Sequence, residues 1–236
     1  MLLSRIRLDL NRLERNTLLQ VLAGHAYTGH QLLWQLFSDT AGPRPFLFRQ
    51  EIEHEQDPRS SVKGLPLFYV LSEQTPADTL DWLDVQTKTF DPQLTAGDRL
   101  GFVLRANPTV ARSQPGEKRS RRSDVMMHAK YAFPTGKRSS AACKQAMEQA
   151  AIDWLRRQAD QNGFTLAGDT AAVTTYRQQE IKKANSGHTV KFSSVDYQGV
   201  LQVTEPERFV SALAQGFGRA KAFGCGLMMI RRSARE

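Results

Sequence analysis

In the run Tyr27-Thr28-Gly29-His30 a phenol and an imidazole stand three residues apart, so one turn of helix brings both to one place. Histidine titrates near neutrality and suits general acid–base work. A helix N-terminus attracts phosphate and resists protonation of a nearby imidazole. The alternative for this pair is a surface histidine beside a core tyrosine. His25, on a less regular stretch, competes for the same role.

Residues 216–226 read Gly-Phe-Gly-Arg-Ala-Lys-Ala-Phe-Gly-Cys-Gly. Glycines there, among them Gly218 and Gly224, let backbone approach a ligand, and Arg219 and Lys221 add charge that could cradle a phosphate. No Gly-Lys-Ser/Thr ends the run, and it follows a helix rather than a strand, so it is neither a P-loop nor a dinucleotide fingerprint. The plainer reading is a turn returning the last strand to its sheet, and both readings stay open.

Lys182, Lys183 and Lys191 flank a turn at Asn185-Ser186-Gly187, with Arg177 and His188 nearby. Such a basic ribbon can lie along a nucleic-acid groove, or its lysines can simply protect a strand edge. Arg105, in Arg105-Ala106-Asn107-Pro108, ends a strand and suits a phosphate or a base face, or else caps the sheet. Glu51, Glu53, Glu55 and Asp57 alternate around His54 and faintly suggest a metal site, but an exposed strand edge and turn explains them better. No Ser/His/Asp pattern or reactive-cysteine setting has local support.

These residues need elements to hold them. Leu2, Ile6 and Leu8 alternate with Arg5 and Arg7 as a first strand, followed by a connecting segment to about Gly24. Leu32, Leu33, Leu36 and Phe37 predict a helix from Thr28, its N-cap, to Phe37. Strands follow at 46–52 and 67–71, a short helix at 77–83 opened by Pro76, and a strand at 85–90. The second half repeats the order. It has a strand at 100–105, a long helix within 139–163, a hairpin of 174–181 with 190–203, a helix at 207–215 and a strand at 227–230. Two βαββαβ units in tandem are the natural α+β architecture, spanning 1–92 and 98–236. Residues 112–138, rich in Ser, Arg and Lys and including Arg119, Arg121 and Arg122, read as a mobile loop.

The chain holds 32 Lys and Arg against 24 Asp and Glu, a net charge of +8. Residues 1–98 carry nine basic and 13 acidic residues, and the remainder carry 23 and 11, so the positive charge lies in the second half. That asymmetry points to a polyanion, nucleic acid above all, as partner of the second half. Two isolated cysteines, Cys143 and Cys225, exclude a disulfide scaffold and a paired zinc site, and a reducing, cytoplasmic compartment is expected. The first ten residues have no signal-peptide core, and no stretch approaches the ~18 apolar residues of a membrane span.

As an ordered set, Tyr27-x-x-His30 before Gln31-Leu32-Leu33-Trp34, Phe46-Leu47-Phe48, Leu104-Arg105-Ala106-Asn107-Pro108 and the glycine run ending at Leu227 resemble the CasE family, the endoribonucleases of type I-E CRISPR systems. The resemblance runs from end to end. It implies two ferredoxin-like (RRM-like) domains, the first carrying the catalytic Tyr27 and His30. It also implies binding of the CRISPR repeat stem-loop and one cut at the 3′ base of the stem. The 2′-hydroxyl attacks without a metal or other cofactor, leaving a 2′,3′-cyclic phosphate. The product stays bound and the protein joins the Cascade complex with its other subunits, away from any membrane. His30 becomes the acid–base residue and Tyr27 positions the reacting groups. Contact with RNA falls to Arg105, Asn107, Arg119, Arg121, Arg122, Lys182, Lys183, Lys191, Gly218, Arg219, Lys221 and Gly224.

One departure matters. Some family members carry a lysine about one turn after the histidine, where Gln35 stands here. No ribonucleoprotein aromatic motif is present, so binding through stem shape and phosphates is expected. A non-catalytic RNA-binding subunit of the same fold, and a metal-dependent nuclease built on Glu51, Glu53 and Asp57, are the rival readings.

Overall fold

The computed structural model describes residues 1–23, 26–37, 44–53, 64–112, 121–182 and 189–232, with backbone alone for Ala23, Ala26, Tyr27, Arg112, Arg121 and Lys182. The chain divides into two compact units. The first is Met1–Gln93 with Ala214–Gly216 and Lys221–Leu227. The second is Leu94–Leu213 with Phe217–Ala220 and Met228–Glu236.

The first unit contains β1 (Leu2–Leu8), α1 (Arg15–Ala23), α2 (Ala26–Trp34), a 3-10 turn (Gln35–Phe37), β2 (Phe46–Ile52), β3 (Pro66–Ser72) and β4 (Leu83–Thr89). The strands lie in the order β2-β3-β1-β4, all pairs antiparallel, which is the ferredoxin-like order. Period-2 alternation sets the register of β1: Ser4, Ile6 and Leu8 are buried while Arg5 is exposed. Arg7 faces Asp84 across the sheet at 2.7 Å and reaches Glu53 at 3.4 Å. Partly exposed ion pairs contribute roughly 0–1 kcal/mol, whereas burying a leucine or isoleucine contributes about 1.5–3, so burial decides the register.

Helix α2 covers the apolar face. Leu32, Leu33, Leu36 and Phe37 join Ile6, Phe46, Phe48, Phe68 and Val70 in one buried cluster. Gly29 brings the helix closest to the sheet, for a Cβ placed there would sit 2.8 Å from Cε1 of Phe68 and 3.1 Å from Oε1 of Gln50.

Three features of this unit correct the sequence expectation. The connecting segment contains helix α1, whose exposed Leu19 and Leu22 obscure its amphipathic period. Helix α2 begins at Ala26, so Thr28 lies inside its first turn instead of capping it. No helix forms over 77–83. That crossover is irregular chain tied to the 3-10 turn after α2, with Ala77 N donating to Leu36 O at 2.8 Å and Thr79 Oγ1 to Gln35 O at 3.2 Å. Those bonds supply partners that a helix would otherwise provide.

The second unit contains β5 (Arg99–Ala106), β6 (Thr109–Arg112), β7 (Arg121–Asp124), α3 (Val125–Tyr131), α4 (Ala141–Gln161), β8 (Phe164–Leu166), β9 (Ala172–Lys182), β10 (Thr189–Val203), α5 (Pro206–Gln215) up to Leu213, and β11 (Met228–Arg232). Its sheet runs β11-β5-β10-β8, and β9 also pairs with β10. Ser140 caps α4, accepting from Cys143 N at 3.2 Å, and Trp154 stacks on Tyr197 with centroids 6.0 Å apart. The expected mobile loop at 112–138 is in part regular structure: β6 and β7 pair as a ribbon, and Asp124 caps α3 by accepting from Met127 N at 2.7 Å. Basic composition hides this, because a ribbon pairs through its backbone. Cys143 and Cys225 are buried free thiols. Among the described residues no helix is long and apolar enough to cross a membrane.

The close approach at Gly29 carries a prediction. Valine at 29 drives two methyls into a ring that is 1% exposed. Overpacking a tight core costs about 1–3 kcal/mol, and β-branching forgoes most of the helix-propensity gain over glycine. Urea unfolding of Gly29→Val should show a loss of about 2 kcal/mol. An unchanged midpoint would mean that α2 does not pack as described.

Candidate active site

His30 lies in the second turn of α2, half-buried, with its ring against the aromatic wall of β2. Ring centroids of Phe46 and Phe48 are each 6.2 Å away, and that of Trp34 is 6.1 Å away, edge-on. Trp34, one turn along the helix, donates its indole N–H to His30 Nε2 at 3.0 Å. An indole can only donate, so Nε2 holds the lone pair and the neutral ring carries its proton on Nδ1. Burial first, and then the charge of Arg44, hold the imidazole below its ordinary value of 6.5. At neutral pH the ring is therefore uncharged and can accept a proton.

Arg44 precedes β2 between two prolines. Its Nε donates to Phe46 O at 2.5 Å, and its guanidinium lies 5.8 Å from the centroid of the Phe46 ring. Lys221 comes from the far end of the chain, in a 3-10 turn (Lys221–Phe223) that packs on α2 and β2 within the same unit. Its Nζ donates to Gln215 O at 2.7 Å. Burial and then the Arg44 charge lower the Lys221 ammonium below its usual value, and burial lowers Arg44 itself. Two glycines let this segment approach. Gly216 and Gly224 adopt φ of +76° and +78°, and side chains there would meet Leu47 at 2.7 Å and Phe48 at 3.2 Å. Thus His30, Arg44 and Lys221 share one place, and the charge that depresses the imidazole is a cation.

The other residues singled out by sequence are distributed as follows. Tyr27 lies one turn before His30 on the backbone of α2. Arg105 forks onto Asp196 at 2.8 and 3.0 Å. Asn107 is buried, donates to Ser193 O at 2.6 Å, and bridges through its backbone to Arg219, which is exposed. Gly218, at φ +72°, lies over Trp154. Arg122 is exposed on β7, beside the backbone of Arg121. Lys182 ends β9, and Lys191 on β10 is exposed and pairs with Glu180 at 3.2 Å. Glu51 pairs with Arg49, and Glu53 with Arg7. His25, His54, Glu55, Asp57, Arg119 and Lys183 lie outside the described residues. Sequence reasoning passed over Arg44 and Trp34. Trp34 had a signal, the i,i+4 spacing from His30, but it reads equally as a core aromatic.

The imidazole's surroundings fix a titration. Arg44 before β2 and Lys221 on the 3-10 turn are both basic, and farther along β2 Arg49 and Glu51 pair with each other. Ring-proton NMR should place the His30 midpoint below 6.5. Trp34→Phe keeps the packing but removes the donor that favours the neutral ring, so the midpoint should rise. An unmoved midpoint would remove Trp34 from this account. The unfolded chain binds the proton more readily, so the His30 contribution to stability is intact above pH 6.5 and declines as pH falls below it.

Two known proteins are similar to this chain along most of its length. The CRISPR-associated endoribonuclease Cse3 of Thermus thermophilus is 31% identical over 151 residues, 61% of this chain and 60% of the relative's length. The Cascade subunit CasE of Escherichia coli is 27% identical over 205 residues, 86% of this chain and 90% of that protein. A solved structure of Thermus thermophilus Cse3, bound to an RNA representing a pre-cleavage complex, superposes with a TM-score of 0.67 at 22% identity, covering 98% of both chains. The family model described as CRISPR associated protein matches residues 1–232, and this chain belongs to that family.

Proposed function

We propose that this chain is an endoribonuclease that processes CRISPR RNA and remains with its product as a Cascade subunit. One observation carries the reading: His30 is a half-buried imidazole whose Nε2 accepts from the Trp34 N–H, and burial with the nearby Arg44 charge favours its neutral form. That is what cleavage beside a phosphate requires of a base. The names of the relatives, an endoribonuclease and a Cascade subunit, supply the substrate class and the assembly.

The chemistry is internal transfer. The RNA 2′-hydroxyl loses its proton to the imidazole while its oxygen bonds to the adjacent phosphorus. The bond from phosphorus to the 5′-oxygen then breaks, and that oxygen takes up a proton. The products are a 2′,3′-cyclic phosphate and a 5′-hydroxyl. Nε2 is the atom with the lone pair, so RNA must displace the Trp34 N–H for Nε2 to act as base. Tyr27, one turn earlier on α2, is assigned to positioning the reacting groups. The repeat stem-loop is held by the basic second unit, through the hairpin of β9 and β10 with Lys182, Lys183 and Lys191. Arg122 and Arg219, both exposed, are further candidates for its phosphates. Arg105 and Asn107, already engaged with Asp196 and Ser193, act on RNA through the shape of the sheet end they stabilise.

The decisive experiment is single-turnover cleavage of a repeat hairpin in excess chelator. Wild-type protein should cut once at the 3′ base of the stem and leave a cyclic phosphate. His30→Ala should bind the hairpin normally and cut at least about 100-fold more slowly, the scale of a lost general base. Undiminished cutting would remove His30 from the reaction. Changing Lys182, Lys183 and Lys191 together to Ser should weaken hairpin binding and flatten its salt dependence by roughly 0.7–0.9 in log–log slope for each phosphate no longer neutralised. An unaltered slope would place the stem elsewhere.

A further inference from the structure

We propose that Arg44, assisted by Lys221, binds the non-bridging oxygens of the scissile phosphodiester and stabilises the charge that builds on them during cleavage. The inference rests on the endoribonuclease reading above and adds to it the group that meets the phosphate. The chemistry demands such a group, because attack by the 2′-oxygen concentrates negative charge on two equatorial oxygens. Helix α2 does not supply it: the residue beyond Trp34 is neutral Gln35, exposed, with its carbonyl taken by Thr79.

Geometry points to Arg44. Its guanidinium and the His30 ring rest against the same Phe46 ring, at 5.8 and 6.2 Å from its centroid. The Arg44 charge acts on both the His30 imidazole and the Lys221 ammonium, so the three groups are near enough to meet one anion. The bond from Nε to Phe46 O fixes one edge of the planar fork and turns the remaining N–H donors to other work. Lys221 uses one donor on Gln215 O, and its turn packs against the helix that bears His30.

The electrostatics agree with the geometry. Arg44 and Lys221 are half-buried, and the Arg44 charge makes the ammonium of Lys221 harder to hold. Among the described residues no carboxylate pairs with either one. Half-buried cations that no described carboxylate meets are costly in the free protein, and an anionic ligand relieves that cost. A phosphodiester fits: it carries one charge, it suits a guanidinium fork, and it cannot lend the imidazole a proton.

The test uses the full chain, a cleavable repeat hairpin and the same hairpin with a 2′-deoxy residue at the cut. Arg44→Gln should bind the deoxy hairpin within about threefold of wild type, yet cut the cleavable one about 100-fold more slowly, the usual effect of removing one such donor. Arg44→Lys should recover part of that rate, and Lys221→Gln should cut faster than Arg44→Gln but slower than wild type. The His30 midpoint should rise in Arg44→Gln, which checks that the guanidinium lies beside the imidazole, and unchanged circular dichroism establishes folding; slower cutting with deoxy-hairpin binding retained is what a merely structural arginine would not produce. If Arg44→Gln and Arg44→Lys both cut at the wild-type rate while His30→Ala is inactive, the Arg44 assignment is wrong and the endoribonuclease reading stands. If wild-type protein itself does not cut the hairpin, that reading fails and this inference falls with it.

Discussion

A glycine at position 29 lets helix α2 lie on β2 and β3 at a separation no side chain would permit, and the first unit is organised around that close approach. It presses Leu32 and Leu33 into the phenylalanine cluster. It also carries the next residue, His30, down to the level of the Phe46 and Phe48 rings. Desolvation of the imidazole follows from that depth, and desolvation is the first cause of its neutrality. The chemistry proposed for the site is thus a consequence of helix-to-sheet distance. A helix raised by one methyl group would leave the same histidine wetter, more easily protonated and less fit as a base.

The second constraint is charge. The proposed site gathers a guanidinium and an ammonium beside an imidazole, which an isolated protein has no reason to favour. Self-repulsion of this kind trades stability for readiness, as is common where a site must accept a ligand of opposite sign. It also protects the base: burial and the Arg44 charge together favour the unprotonated imidazole until an anion arrives. Aromatic walls on β2 then keep bulk water from screening these charges.

Much of this is legible in the sequence, for identifiable reasons. Alternation gives β1 and β5, and apolar spacing gives α2, α4 and α5. The order of elements implies two ferredoxin-like sheets, and both have that strand order. The failures are equally specific. Helix α1 exposes Leu19 and Leu22, so its period is blurred. The stretch after Pro76 has helix-compatible composition, but it is tied at Ala77 and Thr79 to the 3-10 turn after α2, a tertiary fact. The strands at 109–112 and 121–124 form a ribbon whose sequence looks like a solvated basic loop. Tyr27 and His30 stand out by type and spacing, whereas Arg44 sits in Gly-Pro-Arg-Pro, which reads as punctuation between a helix and a strand. Its partner Lys221 is distant in sequence, and no local pattern joins them.

The path of the chain near its end bears on synthesis. The turn that carries Lys221 belongs to the first unit, although residues 94–213 of the second are translated before it. A ribosome-bound chain can therefore finish the β2-β3-β1-β4 sheet and bury His30 long before the lysine exists. During that interval Arg44 lacks its cationic neighbour Lys221, and β2 lacks the glycine-bearing segment that lies on Phe48. Lys221 consequently joins the pocket only after residues 94–213 have been made. A chain ending before Lys221 would hold the strands of the first sheet but an unfinished pocket.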